Sequence, residues 1–90
     1  MAQAIVNPED LRRFAQTLKK FNNELTNQAS MINNQLETLS NTWRDQENRK
    51  FADEFQGHLK ILARFIENNE EHIPYLLRKA ERIEDYLQQR

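Results

Sequence analysis

Leu39-Ser40-Asn41-Thr42-Trp43-Arg44-Asp45-Gln46-Glu47 decides the fold, because one long amphipathic pattern stops in this stretch and a second one starts. Ser, Asn, Thr and Asp side chains bond nearby backbone groups in non-helical conformations. Ser40, Asn41, Thr42 and Asp45 fall close enough together to end one helix and cap the next. The stretch therefore reads as the bend of a helical hairpin, with Asp45 capping the second arm. Trp43, the only tryptophan, sits inside this bend. Its indole can close the end of the interhelical core while its N–H reaches a carbonyl that the helix end leaves free. Its alternative use is a partner-binding surface.

Working outward, the first arm starts at Asn7-Pro8-Glu9-Asp10. Asn caps, Pro occupies a first-turn position where its missing N–H costs nothing, and the acids face the positive end of the helix dipole. Leu11, Phe14, Leu18, Phe21, Leu25, Ile32 and Leu39 then recur on three- and four-residue steps, with Gln28 and Gln35 where the series skips. That spacing is a heptad seam and predicts a helix over about 8–40, followed by a bend over 41–45. Ala15, Ala29, Met31 and Leu36 read as flanks that widen the stripe.

The second arm, predicted over about 46–88, carries Phe51, Phe55, Leu59, Leu62, Phe65, Ile66, Ile73, Leu76, Ala80, Ile83 and Leu87. A proline inside a helix removes one hydrogen bond and clashes with the carbonyl four residues back, a cost of about 3 kcal/mol. Pro74 is such a residue, but the apolar phase resumes at Leu76, so one long helix kinked near residues 70–74 is expected. A separate short third helix is the alternative. Gly57 reads as a tolerated glycine costing about 1 kcal/mol relative to Ala, or else as a close helix crossing.

Ninety residues with one Gly, two Pro and no alternating β-branched run make a single all-α domain, an antiparallel two-helix hairpin spanning 1–90. Thirteen basic against fourteen acidic residues give a net charge of −1, without the basic excess that drives binding to nucleic acid or anionic membranes. The absence of Cys excludes disulfides, thiol nucleophiles and cysteine metal sites. No apolar run approaches the roughly 20 residues of a membrane span, and Met1 to Val6 lacks the regions of a signal peptide. The expected location is the cytoplasm, with export left open through a route that accepts folded helices.

Two helices joined by a short bend offer little concavity for catalysis. His58 and His72 lie fourteen residues apart, about 21 Å along a helix, too far to share a metal or a proton. Glu67, Glu70 and Glu71 read as a solvated or salt-bridging face. No phosphate loop, zinc-ligand spacing or Ser/His/Asp arrangement is present, so the expectation is a non-enzymatic protein without a cofactor.

A bend centred on Trp43 places facing residues at numbers that sum to roughly 86. Phe21 then lies near Phe65, Leu25 near Leu62 and Gln28 near His58, while Arg12, Arg13, Lys19 and Lys20 approach Glu67, Glu70 and Glu71. Residues beyond about Lys79 overshoot the first helix, with Ile5 and Val6 available to cover part of the overhang. Met31, Leu36, Ile61, Ile66, Leu77, Ile83 and Leu87 extend beyond or beside the seam, each worth about 1.5–3 kcal/mol if buried. A homodimer forming a four-helix bundle buries them, and a heterodimer with a similar hairpin can use the same face. The candidate hairpin or dimer interface is Leu11, Phe14, Leu18, Phe21, Leu25, Ile32, Leu39, Phe51, Phe55, Leu59, Leu62, Phe65, Ile66 and Leu76, and the bend motif is Trp43 with Asp45.

In chain length, the Asn-Pro start, two long arms and a tryptophan in the central bend, the sequence resembles the WXG family of small type VII secretion proteins. The family's bend carries Trp-x-Gly; here it is Trp43-Arg44-Asp45, so the tryptophan matches and the glycine does not. The family's C-terminal signal, a tyrosine followed four positions later by an acid, is also unmatched: Tyr75 is followed by Lys79 and Tyr86 by Arg90. The resemblance implies a helical hairpin in a homo- or heterodimeric bundle, no catalysis, and export or an accessory role in a type VII-like system. The competing expectation is a cytosolic structural or adaptor bundle that is never exported.

Overall fold

The caps written into the sequence delimit two helices. In the computed structural model, which describes residues 6–88, these are α1 (Pro8–Thr42) and α2 (Gln46–Gln88), with no strand among the described residues. Asn7 adopts extended backbone, and its Oδ1 accepts the Glu9 N–H at 2.8 Å. At 1.5 Å per residue, 35 and 43 residues give helices of about 52 and 64 Å, packed antiparallel into a body of 70 × 17 × 13 Å. α2 runs unbroken through Pro74. Pro74 and Glu70 are both exposed, so the carbonyl that loses its helical donor can turn to water.

The most deeply buried positions between the helices are held mainly by small and polar side chains. Ala15, Asn22 and Ala80 are 1, 2 and 0% exposed, and Leu36, Asn48 and Asn69 are also buried. In α1 the covered row is Ala15, Asn22, Ala29 and Leu36 at seven-residue spacing, with half-buried Leu11, Leu18 and Leu25 between. Its partner on α2 alternates through Asn48, Ala52, Phe55, Leu59, Leu62, Ile66, Asn69, Ile73, Leu76, Ala80 and Ile83, all buried or half-buried. The Asn22 amide nitrogen donates to the Ile66 carbonyl at 3.0 Å, and the Asn69 amide donates to Asn22 Oδ1 at 2.9 Å. Each bond contributes only about 1 kcal/mol net, but stranding a buried amide costs about 1–3 kcal/mol. The pair therefore penalises any slide of one helix along the other.

This arrangement exchanges the roles of two rows. Ala15, Ala29 and Leu36, read from sequence as flanks, form the contact line, whereas Phe14, Phe21, Ile32 and Leu39, read as its seam, stand exposed. The physical reason is size. Alanine and asparagine in the α1 row let the helix axes approach, whereas phenylalanine in that row would hold them apart. Pairing also extends further down α2 than expected, because Ala80 is buried and Arg12 grips Glu84 through two hydrogen bonds, Nη1 to Oε2 at 2.6 Å and Nη2 to Oε1. Among the described residues Arg12, Arg13, Lys19 and Lys20 make no salt bridge to Glu67, Glu70 or Glu71; Arg12 uses Glu84 and Glu9, and Arg13 uses Asp10. Val6 is half-buried, and Ile5 lies outside the described residues.

At the bend, the Trp43 N–H donates to the Leu39 carbonyl at 2.9 Å and closes α1. Asp45 opens α2: its Oδ1 accepts the Asn48 N–H at 3.0 Å and its carbonyl the Arg49 N–H at 3.4 Å. Arg44 Nε donates to the Asn41 carbonyl at 2.7 Å. The Trp43 indole is half-buried and lies tilted against Phe51, ring centroids 5.9 Å apart. Its N–H finds no carbonyl among the described residues, so the bend's freed acceptors are met by Arg44 and by the backbone and hydroxyl groups nearby, as Thr42 Oγ1 donates to Leu39 at 3.2 Å.

Two outcomes follow for stability. A Cβ added at Gly57 would meet nothing within 4 Å, so no close crossing requires it, and Gly57→Ala should raise unfolding stability by about 0.5–1 kcal/mol, read as a higher urea midpoint at unchanged slope. Trp43→Ala should cost about 1–3 kcal/mol, less than the 3–5 kcal/mol of a fully enclosed aromatic. Emission from the native indole should fall between a buried and a water-like maximum.

Candidate interaction face

Residues one position before the covered row of a helix and residues four positions after it lie on opposite sides of that row. In α1 the first set is Phe14, Phe21, Gln28 and Gln35, and the second contains Arg12, Asn33 and Ser40. The hairpin is accordingly two-faced. On the back, Arg12 pairs with Glu84, the Gln56 amide donates to Asn33 Oδ1 at 2.8 Å, and Ser40 Oγ donates to Asn48 Oδ1 at 3.3 Å. The Arg12 hydrogen bonds hold the Glu84 carboxyl below the usual carboxylate range, and Glu84 in turn raises the Arg12 guanidinium. A carboxyl shifted this way stabilises the fold above that range, and the contribution fades as pH falls through it.

The front is aromatic and aliphatic. Phe21 and Phe65 meet edge to face across the helices with centroids 6.4 Å apart, and Trp43, Phe51, Phe55 and His58 form a chain of rings with successive centroids 5.9, 5.7 and 6.4 Å apart. Phe14 is 57% exposed and Phe65 46%. Two grooves run end to end between the helices here. One, of about 210 Å³, is lined by Ile32, Gln35, Leu36, Leu39, Phe51 and Phe55. The next, of about 310 Å³, is lined by Leu25, Gln28, Ala29, Ile32, Phe55, His58, Leu59 and Leu62. Among the described residues no carboxylate, lysine or arginine lines either groove. Met31 and Ile61, the latter 70% exposed, extend this apolar surface along its outer edges.

The candidate interface residues thus divide. Leu11, Leu18, Leu25, Phe55, Leu59, Leu62, Ile66 and Leu76 are half-buried along the hairpin, while Phe14, Phe21, Ile32, Leu39, Phe51 and Phe65 stand exposed on the front. Gln28 and His58 line the same groove without bonding each other among the described residues. Asn22, Asn48 and Asn69, buried at the contact line, were not among the candidates; the available signal was the seven-residue spacing Ala15-Asn22-Ala29-Leu36, with Asn48 and Asn69 three heptads apart on the second arm.

Among the described residues no group of three or more His, Cys, Asp or Glu side chains could hold a metal ion, and no helix is long and apolar enough to cross a membrane. What the geometry offers is an elongated apolar face, grooved at its middle, on a polar-backed plank.

The profile of the WXG100 family, described as proteins of 100 residues with WXG, matches residues 3–88. No curated protein and no solved structure matches the chain. The match runs through both helices as well as the bend that carries the tryptophan. This chain therefore belongs to the WXG100 family, small helical proteins associated with type VII secretion.

Proposed function

We propose that this chain is a non-enzymatic type VII-associated protein that works as a pair of hairpins, two copies joined through their front faces into a four-helix bundle. One observation carries the proposal: of twelve large apolar side chains left exposed among the described residues, eight (Phe14, Phe21, Met31, Ile32, Leu39, Phe51, Ile61 and Phe65) belong to the front face or its edges. A face extending along a body 70 Å long and 17 Å wide is large enough for the ~800 Å² per partner of a standard interface. Burial of each large side chain contributes about 1.5–3 kcal/mol, so several together offset an association cost of about 4–15 kcal/mol.

A second copy suits this surface. With no carboxylate, lysine or arginine among the described residues lining either groove, the grooves meet their own image without like-charge repulsion, and closed two-fold pairing covers the front face of both copies at once. The role proposed is accessory or co-exported; neither Tyr75, followed four positions on by Lys79, nor Tyr86, followed by Arg90, matches the family's tyrosine-and-acid signal. In this proposal the protein is cytoplasmic and leaves the cell only alongside a partner.

Sedimentation equilibrium at micromolar concentration should give twice the monomer mass. Phe65→Asp should yield a helical monomer, whereas Leu36→Ala, at the contact line, should cost the hairpin about 2–5 kcal/mol. A wild-type monomer at tens of micromolar would end the homodimer proposal. Fractionating cells with and without the type VII ATPase tests export: protein outside only the former supports co-export, and protein retained in both supports a cytosolic adaptor.

A further inference from the structure

We infer that pairing through the front face is proton-sensitive and that His58 is the group that reads pH; this rests on the self-pairing proposed above. Among the described residues His58 is the only titratable side chain lining either front groove. Its ring stands edge-on to Phe55, with centroids 6.4 Å apart, and Leu25, Gln28, Ile32 and Leu62 complete its surroundings in the groove. Among the described residues no hydrogen bond or ion pair holds the imidazole.

The charged groups that approach it do so from outside the groove. On α2, Glu54 lies one turn before His58; on α1, Glu24 lies one turn before Gln28, and both are exposed. Neither lines the groove. A second copy presenting the same face brings aromatic and aliphatic surface with no carboxylate in its grooves, so closing the interface takes water from His58 and seats no counter-charge inside the groove.

Desolvation without a counter-charge disfavours the charged imidazole. Histidine changes charge between about pH 5 and pH 8, so the unpaired hairpin binds protons that the pair must release. By linkage, acid shifts the equilibrium toward single hairpins and base toward pairs. Each copy contributes one His58, so two protons oppose each closure. As pH falls through the histidine range the dissociation constant can rise by up to about 100-fold per pH unit.

Sedimentation equilibrium of the full chain at about pH 8 and about pH 5.5 reads this directly. The wild type should weaken by about 10-fold or more, and His58→Gln should lose most of that response. A wild-type constant equal at both pH values overturns the inference and leaves the pairing standing, as does a His58→Gln protein that shifts as the wild type does. A monomer at both pH values overturns the pairing first and this inference with it. Should His58→Gln pair poorly, the His58 ring-proton titration by NMR decides instead. Its midpoint should lie lower in the paired wild type than in monomeric Phe65→Asp, and coincident midpoints overturn the inference.

Discussion

The hydrogen-bonded layer of Asn22, Asn69 and the Ile66 carbonyl is the constraint on which the hairpin depends. Two helices with broad apolar stripes could slide or rotate against one another at little cost, because dispersion and burial are insensitive to register. A pair of buried amides is directional, and a shift of one helical step would leave both without partners. The alanines of the same contact line, Ala15 and Ala80 among them, let the backbones come close enough for the short asparagine side chains to meet.

Fixing that line also fixes what is left over. With small residues inside, Phe14, Phe21, Phe51 and Phe65 are turned to one side and the Arg12–Glu84 and Gln56–Asn33 pairs to the other. The apolar face is thus not a failure of packing. It results from putting the small row inward and the aromatic row outward, the opposite of how a self-sufficient two-helix unit would spend its largest side chains.

The hairpin itself was legible because its signals are local: the Asn7-Pro8 start, the polar cluster before Trp43 and a carboxylate at Asp45 act within a few residues of where they stand. The profile match over 3–88 agrees with the resemblance carried by the bend tryptophan. What sequence periodicity could not assign was the row facing the partner helix. Three adjacent rows of α1 are apolar enough to qualify, and counting hydrophobicity favours the phenylalanine row over one made of Ala15, Asn22, Ala29 and Leu36. The contact is decided by how closely backbones approach and by a bond between two amides 47 residues apart, neither of which a periodic count measures. The missing glycine after Trp43 proved compatible with the bend for a related local reason: among the described residues no backbone φ is positive, so the position held by Asp45 asks for a cap and not for a glycine's conformational freedom.

The antiparallel pairing also has a mechanical consequence. Pro8 and Glu84 sit at the same end of the rod and Trp43 at the other, so tension applied between the two chain ends loads the contact line one heptad at a time, as a zipper is loaded, instead of shearing all of it at once. The first heptad to part is the one clasped by Arg12 and Glu84, whose partly solvated ion pair is a weak latch. The Asn22–Asn69 layer comes next, and beyond it only side-chain packing and the Gln56–Asn33 and Ser40–Asn48 contacts resist until the bend. Such a rod holds its shape against thermal motion spread along its length, yet yields to a small force drawn on one tail.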